Sequence, residues 1–307
     1  VNLVVDTSRL NRITEHEPAD LIAVAQASVT LTTFNQKLSE NGQWLPLDPP
    51  NDGRATLGGV VATGLGGAQQ FGYGRPRGSV IGMTVVLADG RVIKAGGRVV
   101  KNVAGYDLCK LFTGSYGTLG IITELTFKLR PRPAREATVL AIGSTAALLA
   151  AGRAIVDARL FPVAVELVSS SFANRLDINA DSASSTLLIR FAGNDKSVAY
   201  QTEQALIHLK NSAVKATEVL TDDSQLWQSV AAMPINEAPS FAMRVLPTQL
   251  AEKIRSLNGL WQAGLADGRI RMNQSPGQTS RDALSQRVKQ QLDPFNLFRG
   301  HGHEHAA

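Results

Sequence analysis

The sequence predicts an α+β protein that is divided into two domains. The chain has 307 residues, and a single hydrophobic core rarely grows beyond about 250–300 residues. Glycine is concentrated in the first half, where 16 of the 27 glycines lie between Ala55 and Gly120. The second half alternates strand-like and helical segments, which is typical of an α+β unit. Prolines 131 and 133 interrupt a charged stretch, so we expect domains at 1–133 and 134–307.

Composition excludes several classes of protein. Apolar residues make up 44% and charged residues 19% of the chain, as in ordinary globular proteins, which excludes a disordered chain, a collagen and a coiled coil. The single cysteine, Cys109, excludes a disulfide framework and a cysteine-rich metal module. The uncharged stretch Ala55–Gly74 carries seven glycines and is too poor in large apolar residues to span a membrane. No signal peptide is visible.

Positive charge is concentrated in the first half. Net charge is +5, from 31 basic and 26 acidic residues. Between Arg54 and Arg135 there are 12 Lys or Arg and 3 Asp or Glu, a net charge of +9, which leaves −4 for the remainder. A basic segment indicates an anionic ligand or an acidic partner. Nucleic acid is the alternative, and the scarcity of aromatic residues and the lack of a basic helix disfavour it.

The first half begins with strands and one short helix. Val1–Asp6 reads as a strand, so we expect the chain to begin inside a domain. Thr32 is the predicted N-cap of a helix over Thr33–Glu40, and Gly42 is its predicted C-cap. The pair Asp89-Gly90 predicts a hairpin turn. The other predicted strands of this half are Ile22–Val29, Val80–Ala88, Arg91–Lys94 and Ile121–Leu129.

The second half reads as a β-α-β, β-α-β unit that is similar to a ferredoxin-like sheet. Ser144 is the predicted N-cap of a helix that ends near Arg159. The other predicted helices are Asp195–Lys210, Pro247–Asn258 and Ser280–Leu292. The predicted strands are Val139–Ile142, Leu187–Ala192, Phe241–Leu246 and Arg269–Met272.

The segment Thr56-Leu57-Gly58-Gly59 follows a polar turn and precedes small residues. Such a run lets consecutive backbone N–H groups converge on an anion, because glycine permits close approach. The segment is neither a P-loop, since no Gly-Lys-Ser/Thr follows, nor a Gly-x-Gly-x-x-Gly dinucleotide fingerprint. A tight turn without a ligand is an equally good interpretation of these four residues alone.

A second pair of segments favours the ligand. Lys101-Asn102-Val103-Ala104-Gly105-Tyr106-Asp107-Leu108 is followed by Gly114-Ser115-Tyr116-Gly117-Thr118-Leu119-Gly120-Ile121-Ile122-Thr123. With Tyr73-Gly74 and Ala88-Asp89-Gly90, their order and spacing resemble the PCMH-type FAD-binding domain of the vanillyl-alcohol-oxidase family. The resemblance covers roughly residues 1–133 and implies an α+β fold in which that domain, without its first strand–helix unit, precedes a smaller ferredoxin-like cap.

The resemblance also implies FAD as the cofactor. Residues 56–59 would hold its pyrophosphate through backbone N–H groups, residues 62–64 would line the flavin, and residues 77–80 would approach the isoalloxazine. Gly117, Gly120 and Ile122 would lie on the adenosine side, where Ile122 offers an apolar wall. The complete set of candidate cofactor-binding residues is Pro50, Thr56, Leu57, Gly58, Gly59, Ala62, Thr63, Gly64, Gly74, Arg77, Ser79, Val80, Gly117, Gly120 and Ile122.

Within that family the segments are similar to those of glycolate oxidase subunits, such as Leu129-Arg130-Pro131-Arg132-Pro133 and Lys289-Gln290-Gln291-Leu292-Asp293-Pro294. The implied function is that of an FAD-binding subunit in a complex that oxidises glycolate to glyoxylate in the cytoplasm, or at the inner membrane through its partners. Those partners would be a sister flavin subunit and an iron–sulfur subunit. The alternatives are a self-sufficient 2-hydroxy-acid dehydrogenase and a flavin-free structural subunit.

The sequence departs from catalytic members of the family at its histidines. It lacks their Glu-His-Gly-x-Gly segment and a second histidine motif, and Tyr116 stands where they usually have Glu. We therefore expect the substrate base on the sister subunit and name no catalytic residue and no metal ligand. The run His301–His305 could bind a transition metal, but a disordered tail is the favoured interpretation.

Overall fold

A computed structural model of the chain describes residues 4–51, 53–97, 107–212, 214–236, 241–273, 283–293 and 297–298. These residues form two compact units. The first unit contains the chain up to Gly66, Gly74–Arg132 and the described residues from 283 onward, and the second contains Gly67–Tyr73 and the residues from Pro133 to 273. This division differs from the predicted 1–133 and 134–307, because each unit takes one segment from the other half of the chain.

The first unit is built on a five-stranded antiparallel sheet. Its strand order is β1-β2-β6-β4-β5, and β4 and β5 form the predicted hairpin around Asp89-Gly90, with Gly90 at φ +84°. A separate pair joins β3 to β7. The strands are β1 Ile13–Glu17, β2 Ile22–Gln26, β3 Gln43–Trp44, β4 Val80–Val86, β5 Val92–Gly96, β6 Ile121–Lys128 and β7 Arg130–Pro131.

Short helices cover the core of the first unit. The rings of Phe34 and Phe127 are 5.6 Å apart at the centre of that core. Val288 and Leu292, which come from the C-terminal helix, also pack against it. The helices are α1 Leu31–Ser39, α2 Leu57–Thr63, α4 Pro76–Ser79, α5 Leu108–Phe112 and α11 Ala283–Leu292, while α3 belongs to the second unit.

The second unit is built on a seven-stranded antiparallel sheet in the order β11-β8-β10-β9-β13-β14-β12. Its first four strands with their helices follow the βαββαβ connection and the spatial order 4-1-3-2, so the predicted ferredoxin-like sheet is confirmed. Strands β13, β14 and β12 extend it beyond β9. The strands are β8 Arg135–Gly143, β9 Ala164–Ser169, β10 Ser185–Gly193, β11 Val214–Leu220, β12 Phe241–Arg244, β13 Trp261–Gly264 and β14 Arg269–Met272.

Three helices pack on one face of this sheet, and two others pack on part of the opposite face, which also carries buried polar residues. Residues such as Leu187 and Ile189 point to the face with three helices, where they pack with Leu148 and Val198. On the opposite face Val168, Leu188 and neighbouring apolar residues give way to buried charges. The helices of this unit are α3 Gln70–Tyr73, α6 Thr145–Asp157, α7 Ser170–Asn174, α8 Asp195–Lys210, α9 Ser224–Asn236 and α10 Leu250–Arg255.

Several local predictions are confirmed and others are wrong. Ser144 caps α6, and α8 has the predicted bounds. The N-cap of α1 is Thr30, not Thr32, because the Thr30 hydroxyl accepts the bond from the Thr33 N–H. That helix ends at Ser39 with Glu40 as its C-cap, so Gly42, at φ +63°, lies in the following turn. Residues 4–6 form no strand, since Val4 and Val5 are exposed and pair with no neighbouring strand.

Among the described residues, none of the helices combines the length and the apolar character that crossing a bilayer requires.

Candidate functional site

Helix α2 carries the first glycine motif. Its N-cap is Thr56, whose hydroxyl accepts a bond from the Gly59 N–H at 3.1 Å, and it ends at Gly64, which has φ +64°. The Leu57 N–H donates to the carbonyl of Val29, and the Gly58 N–H donates to that of Ala27. These three N–H groups make hydrogen bonds within the fold, and the expectation that the segment holds a pyrophosphate stays a prediction.

The glycines of the motifs have different reasons to be glycine. A Cβ at Gly58 would lie 2.7 Å from the Ala27 Cβ, and one at Gly120 would lie 2.6 Å from the Val85 Cγ1, so both positions are required by packing. A Cβ at Gly59 would meet only the Thr56 hydroxyl, at 3.1 Å, and its φ is not positive. The backbone conformation does not require glycine at 59 and the position is exposed on the surface of α2, but a Cβ there would push the capping hydroxyl of Thr56 by a few tenths of an ångström.

The turn Gly114–Thr118 joins the second motif to this helix. The Gly114 N–H donates to the carbonyl of Val61 at 3.0 Å, and the Tyr116 N–H donates to that of Ala62 at 2.7 Å. Gly64 lies against the turn, since its added Cβ would be 3.1 Å from the Gly114 Cα. The structure therefore brings together residues of the two motifs that the sequence separates, around the C-terminal end of α2.

Other candidates surround that surface without forming part of one cluster. Gly74, at φ +91°, has open space around it, and Arg77 is exposed on α4. Ser79 and Val80 are buried at the start of β4, and Pro50 is half-buried. Ala62 and Thr63 are half-buried on α2, where the Thr63 hydroxyl donates to the Gly59 carbonyl at 2.9 Å.

Ile122 does not present its side chain to a ligand. It is 6% exposed and packs in the core of the first unit. The expected apolar wall for an adenosine ring is therefore wrong for this side chain, because β6 directs it between the sheet and its helices. Gly117, at φ +70°, has open space around it and stays a candidate.

Neither histidine in the described ranges is placed as a catalytic base. His16 lies in β1, where its Nε2 is 3.0 Å from the Gln43 Oε1, and His208 lies in the last turn of α8. Burial raises the pKa of Cys109 to about 11, so this thiol is unreactive. Lys101 and His301–His305 lie outside the described residues. Within those residues, no three His, Cys, Asp or Glu side chains are close enough to hold a metal ion.

Sequence reasoning missed a buried polar cluster on the face of the second sheet that lies opposite α6 and α8. Arg269 on β14 pairs with Glu166 on β9. Gly264 on β13 lies between them, and because it has no side chain the guanidinium can cross that strand. Burial raises the pKa of Glu166 to about 7, although the positive charge of Arg269 opposes the shift. The available sequence signal was the Arg-x-Arg pattern of β14, which places two arginines on one face of the strand.

Two members of this cluster have unsatisfied polar atoms. The side-chain amide of Gln262, 1% exposed, makes no hydrogen bond through either its nitrogen or its oxygen. The Oε2 of Glu166 also lacks a donor. Asp267 accepts a bond from the Gln70 Nε2 at 2.7 Å. Buried polar atoms normally have partners, so this cluster, which we call the Glu166 cluster, has the character of a binding site.

Two comparisons bear on the first unit. Residues 2–96 match the model of a family described as an FAD binding domain. The solved structure of an alkyldihydroxyacetonephosphate synthase superposes on 94% of this chain and 66% of its own, with a TM-score of 0.70. At 15% identity this likeness shows the fold alone.

Residues 2–96 of this chain are thus similar to an FAD-binding domain.

Curated relatives of the FAD-binding domain are flavin-linked enzymes and subunits. Glycolate oxidase subunit GlcE of Escherichia coli is 43% identical over 122 residues, 39% of this chain and 35% of that protein. Glycolate oxidase subunit GlcD of Bacillus subtilis is 32% identical over 81% of this chain and 54% of that protein. D-lactate dehydrogenase of Archaeoglobus fulgidus is 39% identical over 46% of this chain and 31% of that protein. The chain thus spans about a third to a half of their length.

FAD is the cofactor of this domain, and the residues present fit it. The open position at Gly59 and the half-buried Ala62 and Thr63 leave a shallow face of small residues on α2. The turn at Gly114 and Gly117 borders it with backbone that carries no Cβ. A large planar cofactor with an anionic pyrophosphate needs such close approach to the backbone, and the basic surroundings favour its charge.

Proposed function

We propose that this chain is the FAD-binding subunit of a glycolate oxidase and that it acts together with partner subunits. Bound FAD would supply the hydride acceptor for oxidation of the substrate α-carbon, and a base would take the hydroxyl proton as glyoxylate forms. The observation that supports the proposal is the convergence of the two motifs around the C-terminal end of α2. The identity to GlcE supports the substrate and the subunit role.

In this proposal the chain's own residues bind and orient the cofactor. The small residues of α2, Gly59, Ala62 and Thr63, let the flavin or its phosphates approach the helix. The turn Gly114–Thr118 fixes the border of that face. Arg77, exposed on α4, supplies positive charge to an anionic group. The chain's share is thus position and electrostatics, which is what proteins contribute to cofactor chemistry.

We assign the base to a partner, because the two carboxylates within the segments that resemble the FAD-binding domain, Asp89 and Asp107, are poor proton acceptors. The pKa of Asp89 is lowered by the bond from the Arg91 backbone N–H, and that of Asp107 by the bond from the Lys110 ammonium. Carboxylates with lowered pKa values are weaker bases at neutral pH. A sister flavin subunit would hold the base and the substrate, and an iron–sulfur subunit would remove electrons. A cytoplasmic complex, or one attached to the inner membrane, belongs to the same proposal.

The test is turnover by the purified full chain, alone and after reconstitution with its partner subunits. The FAD-loaded chain is given glycolate and an artificial electron acceptor, and dye reduction is followed at 600 nm or so. We expect no turnover by the chain alone and turnover by the complex. Robust glycolate oxidation by the isolated chain would contradict the subunit assignment. A colourless protein in an active complex would instead support a flavin-free structural subunit.

The Glu166 cluster favours a second candidate, a self-sufficient 2-hydroxy-acid dehydrogenase. Arginine is the side chain that best pairs with a carboxylate, and Arg269 and Arg271 are both buried on the sheet face opposite α6 and α8. Gln262 adds a buried amide without partners. The discriminating variant is Gln262→Leu. If the cluster holds the substrate, this change raises the KM for the 2-hydroxy acid in the isolated chain while FAD content stays constant.

A further inference from the structure

The turn Gly114–Thr118 is an unfavourable backbone conformation that needs support. Tyr116 has φ +54°, in the left-handed region, where residues with a side chain are rare. Gly114 and Gly117 on either side also have positive φ values, +82° and +70°. On one side the turn is held by the bonds from Gly114 and Tyr116 to the carbonyls of α2. Conformations of this kind persist only where the surrounding structure imposes them.

The second support comes from the C-terminal segment. The Lys289 ammonium, on α11, donates to the carbonyl of Thr118 at 2.8 Å and to that of Phe298 at 2.7 Å. Its third bond goes to the carboxylate of Asp293. An ammonium has three donors and no acceptor, so all of its hydrogen-bonding capacity is used in this one place.

Asp293 organises the segment around that ammonium. It is 2% exposed and accepts bonds from the N–H groups of Leu297, at 2.8 Å, and Phe298, at 2.9 Å. Burial alone would raise the pKa of this carboxyl, but the bonds from Lys289 and the two N–H groups outweigh it, and the pKa is lowered. The carboxylate therefore stays charged and keeps Lys289 directed at the turn.

Apolar packing does not require this tie. Val288 and Leu292 already attach α11 to the core of the first unit. The Lys289 ammonium adds a specific contact to the backbone of one turn, and that turn borders the open face of α2. Its lysine is partly buried, with 23% of its side chain exposed, so the contact is stronger than an exposed ion pair.

We propose that Lys289, Asp293, Leu297 and Phe298 act as a clasp that holds the turn Gly114–Thr118 in its flavin-binding conformation, with Lys289 as the positioning residue. The clasp does not touch the cofactor; it lowers the cost of ordering the turn when FAD binds, since a preorganised site loses less entropy on binding. This inference rests on the assignment of FAD to the first unit and is independent of the substrate.

The test compares FAD binding by the apoproteins of the full-length parent and three variants. Lys289→Met removes the clasp contact. Lys289→Arg keeps the positive charge, but the planar guanidinium does not fit the three oxygens that surround the ammonium. Lys37→Met removes an exposed lysine that pairs with Glu40 in the same unit and is the matched control. Binding is followed by the change in flavin fluorescence on titration.

We expect Lys289→Met to raise the Kd for FAD about tenfold, Lys289→Arg to lie between it and the parent, and Lys37→Met to match the parent. Hydrogen exchange of the apoprotein gives the second readout. The amides of Gly114 and Tyr116 should exchange about tenfold faster in Lys289→Met, while those of β2 are unchanged. A merely stabilising role would speed exchange throughout the unit.

The proposal is overturned if Lys289→Met binds FAD within twofold of the parent, or if turn and β2 exchange faster together. Should that variant fail to fold, Asp293→Asn decides, because it loosens the ammonium without removing it, and the same two readouts apply. A parent protein that binds no FAD would contradict the cofactor assignment itself, which is a different outcome from an unaffected variant.

Discussion

The backbone N–H of Tyr116 donates to the carbonyl of Ala62 at 2.7 Å. This bond joins the turn of the second motif to the last residues of α2, which the first motif builds. Tyr116 holds a left-handed backbone, φ +54°, to make it. The two motifs are therefore one structural element, and a substitution in either should alter the conformation of the other.

Gly59→Val should abolish FAD retention without unfolding the protein. The valine would enter the open space outside α2, and its helix propensity is no worse than that of glycine. Flavin content is measured from the visible spectrum of the purified full chain, and folding from far-UV circular dichroism. A variant that keeps its flavin would show that this face of α2 does not contact the cofactor.

Gly58→Ala is the contrasting control for that prediction. Its Cβ would lie 2.7 Å from the Ala27 Cβ and 2.9 Å from the Ala27 carbonyl oxygen. Overpacking of this kind costs about 1–3 kcal/mol, so this variant should lower the thermal midpoint. Substitution of Gly59 would then lower FAD retention, whereas substitution of the neighbouring Gly58 would lower stability.

Glu166→Gln should change how stability depends on pH. Burial raises the Glu166 pKa from 4.5 to about 7. Between those values the folded state holds the proton more tightly than the unfolded state, so this group's contribution to stability is present below pH 4.5 and is lost as pH rises toward 7. The loss is about 1.4 kcal/mol for each pH unit in that window.

The measurement is denaturant unfolding of parent and variant at several pH values between 4 and 8. The difference between the two free energies of unfolding isolates Glu166 from the other titrating groups. We expect the parent to lose stability relative to the variant as pH rises. Parallel curves for the two proteins would mean that the pKa of Glu166 is the same in the folded and unfolded states.

Asp223→Ala should destabilise the second unit severely. Asp223 is 2% exposed and accepts two bonds from Arg190 and one from the Thr138 hydroxyl. The Trp227 Nε1 donates to that same hydroxyl. Removing Asp223 leaves the buried Arg190 guanidinium with the partly exposed Glu136, at 3.1 Å, as its remaining charge partner, so the cost should reach at most about 3–5 kcal/mol. Tryptophan fluorescence during unfolding reports the change, since two of the three tryptophans lie in this unit.

Asp181→Ala is the matched control, because Asp181 forms an exposed pair with Lys215, at 2.9 Å. Exposed pairs contribute little to stability, so this variant should unfold like the parent. Equal destabilisation by the two changes would mean that burial does not set the strength of the Asp223 network.

Reversing charge on β5 should weaken assembly with an acidic partner subunit. Strand β5 is an edge of the first sheet, and Lys94 and the neighbouring Arg91 are exposed on it. A third basic residue of this stretch, Arg98, lies outside the described residues. We therefore test the charge of this edge with the double variant Arg91→Glu and Lys94→Glu. Rim charges affect association rate and its salt dependence most, so co-purification of the complex should fall most at low ionic strength.

The control reverses two exposed lysines of the other unit, Lys196 and Lys210 on α8. It should leave assembly unchanged if the β5 edge is the contact. Assembly of the β5 variant at the level of the parent in low salt would indicate that water and salt alone compensate these charges.

Elements with a clear local signal were predictable from the sequence. Ser144 before an alanine-rich run predicts the start of α6, and Asp89-Gly90 predicts its hairpin, because caps and turns depend on a few neighbouring residues. Strand β9 was not predictable in the same way. Glu166 interrupts its apolar run, and the residue that compensates this charge, Arg269, lies more than a hundred positions away.

The site shows the same limit. The open position at Gly59 could be suspected from a glycine pair, but the sequence does not distinguish it from Gly58, whose space is taken by Ala27. Likewise the alternating pattern of β6 does not show whether Ile122 is exposed or buried. The order of strands in the sheet decides that its side chain faces the core. Which glycine is functional depends on tertiary contacts.

Val288 and Leu292 complete the core of the first unit, although most of that core is encoded before residue 130. During synthesis the ribosome adds about 5–20 residues per second, so the early part of the chain waits on the order of ten seconds for them. Until then its apolar surface beneath α11 is uncovered. We therefore expect this nascent chain to depend on chaperones for longer than a chain whose first unit is complete before synthesis of its second unit begins.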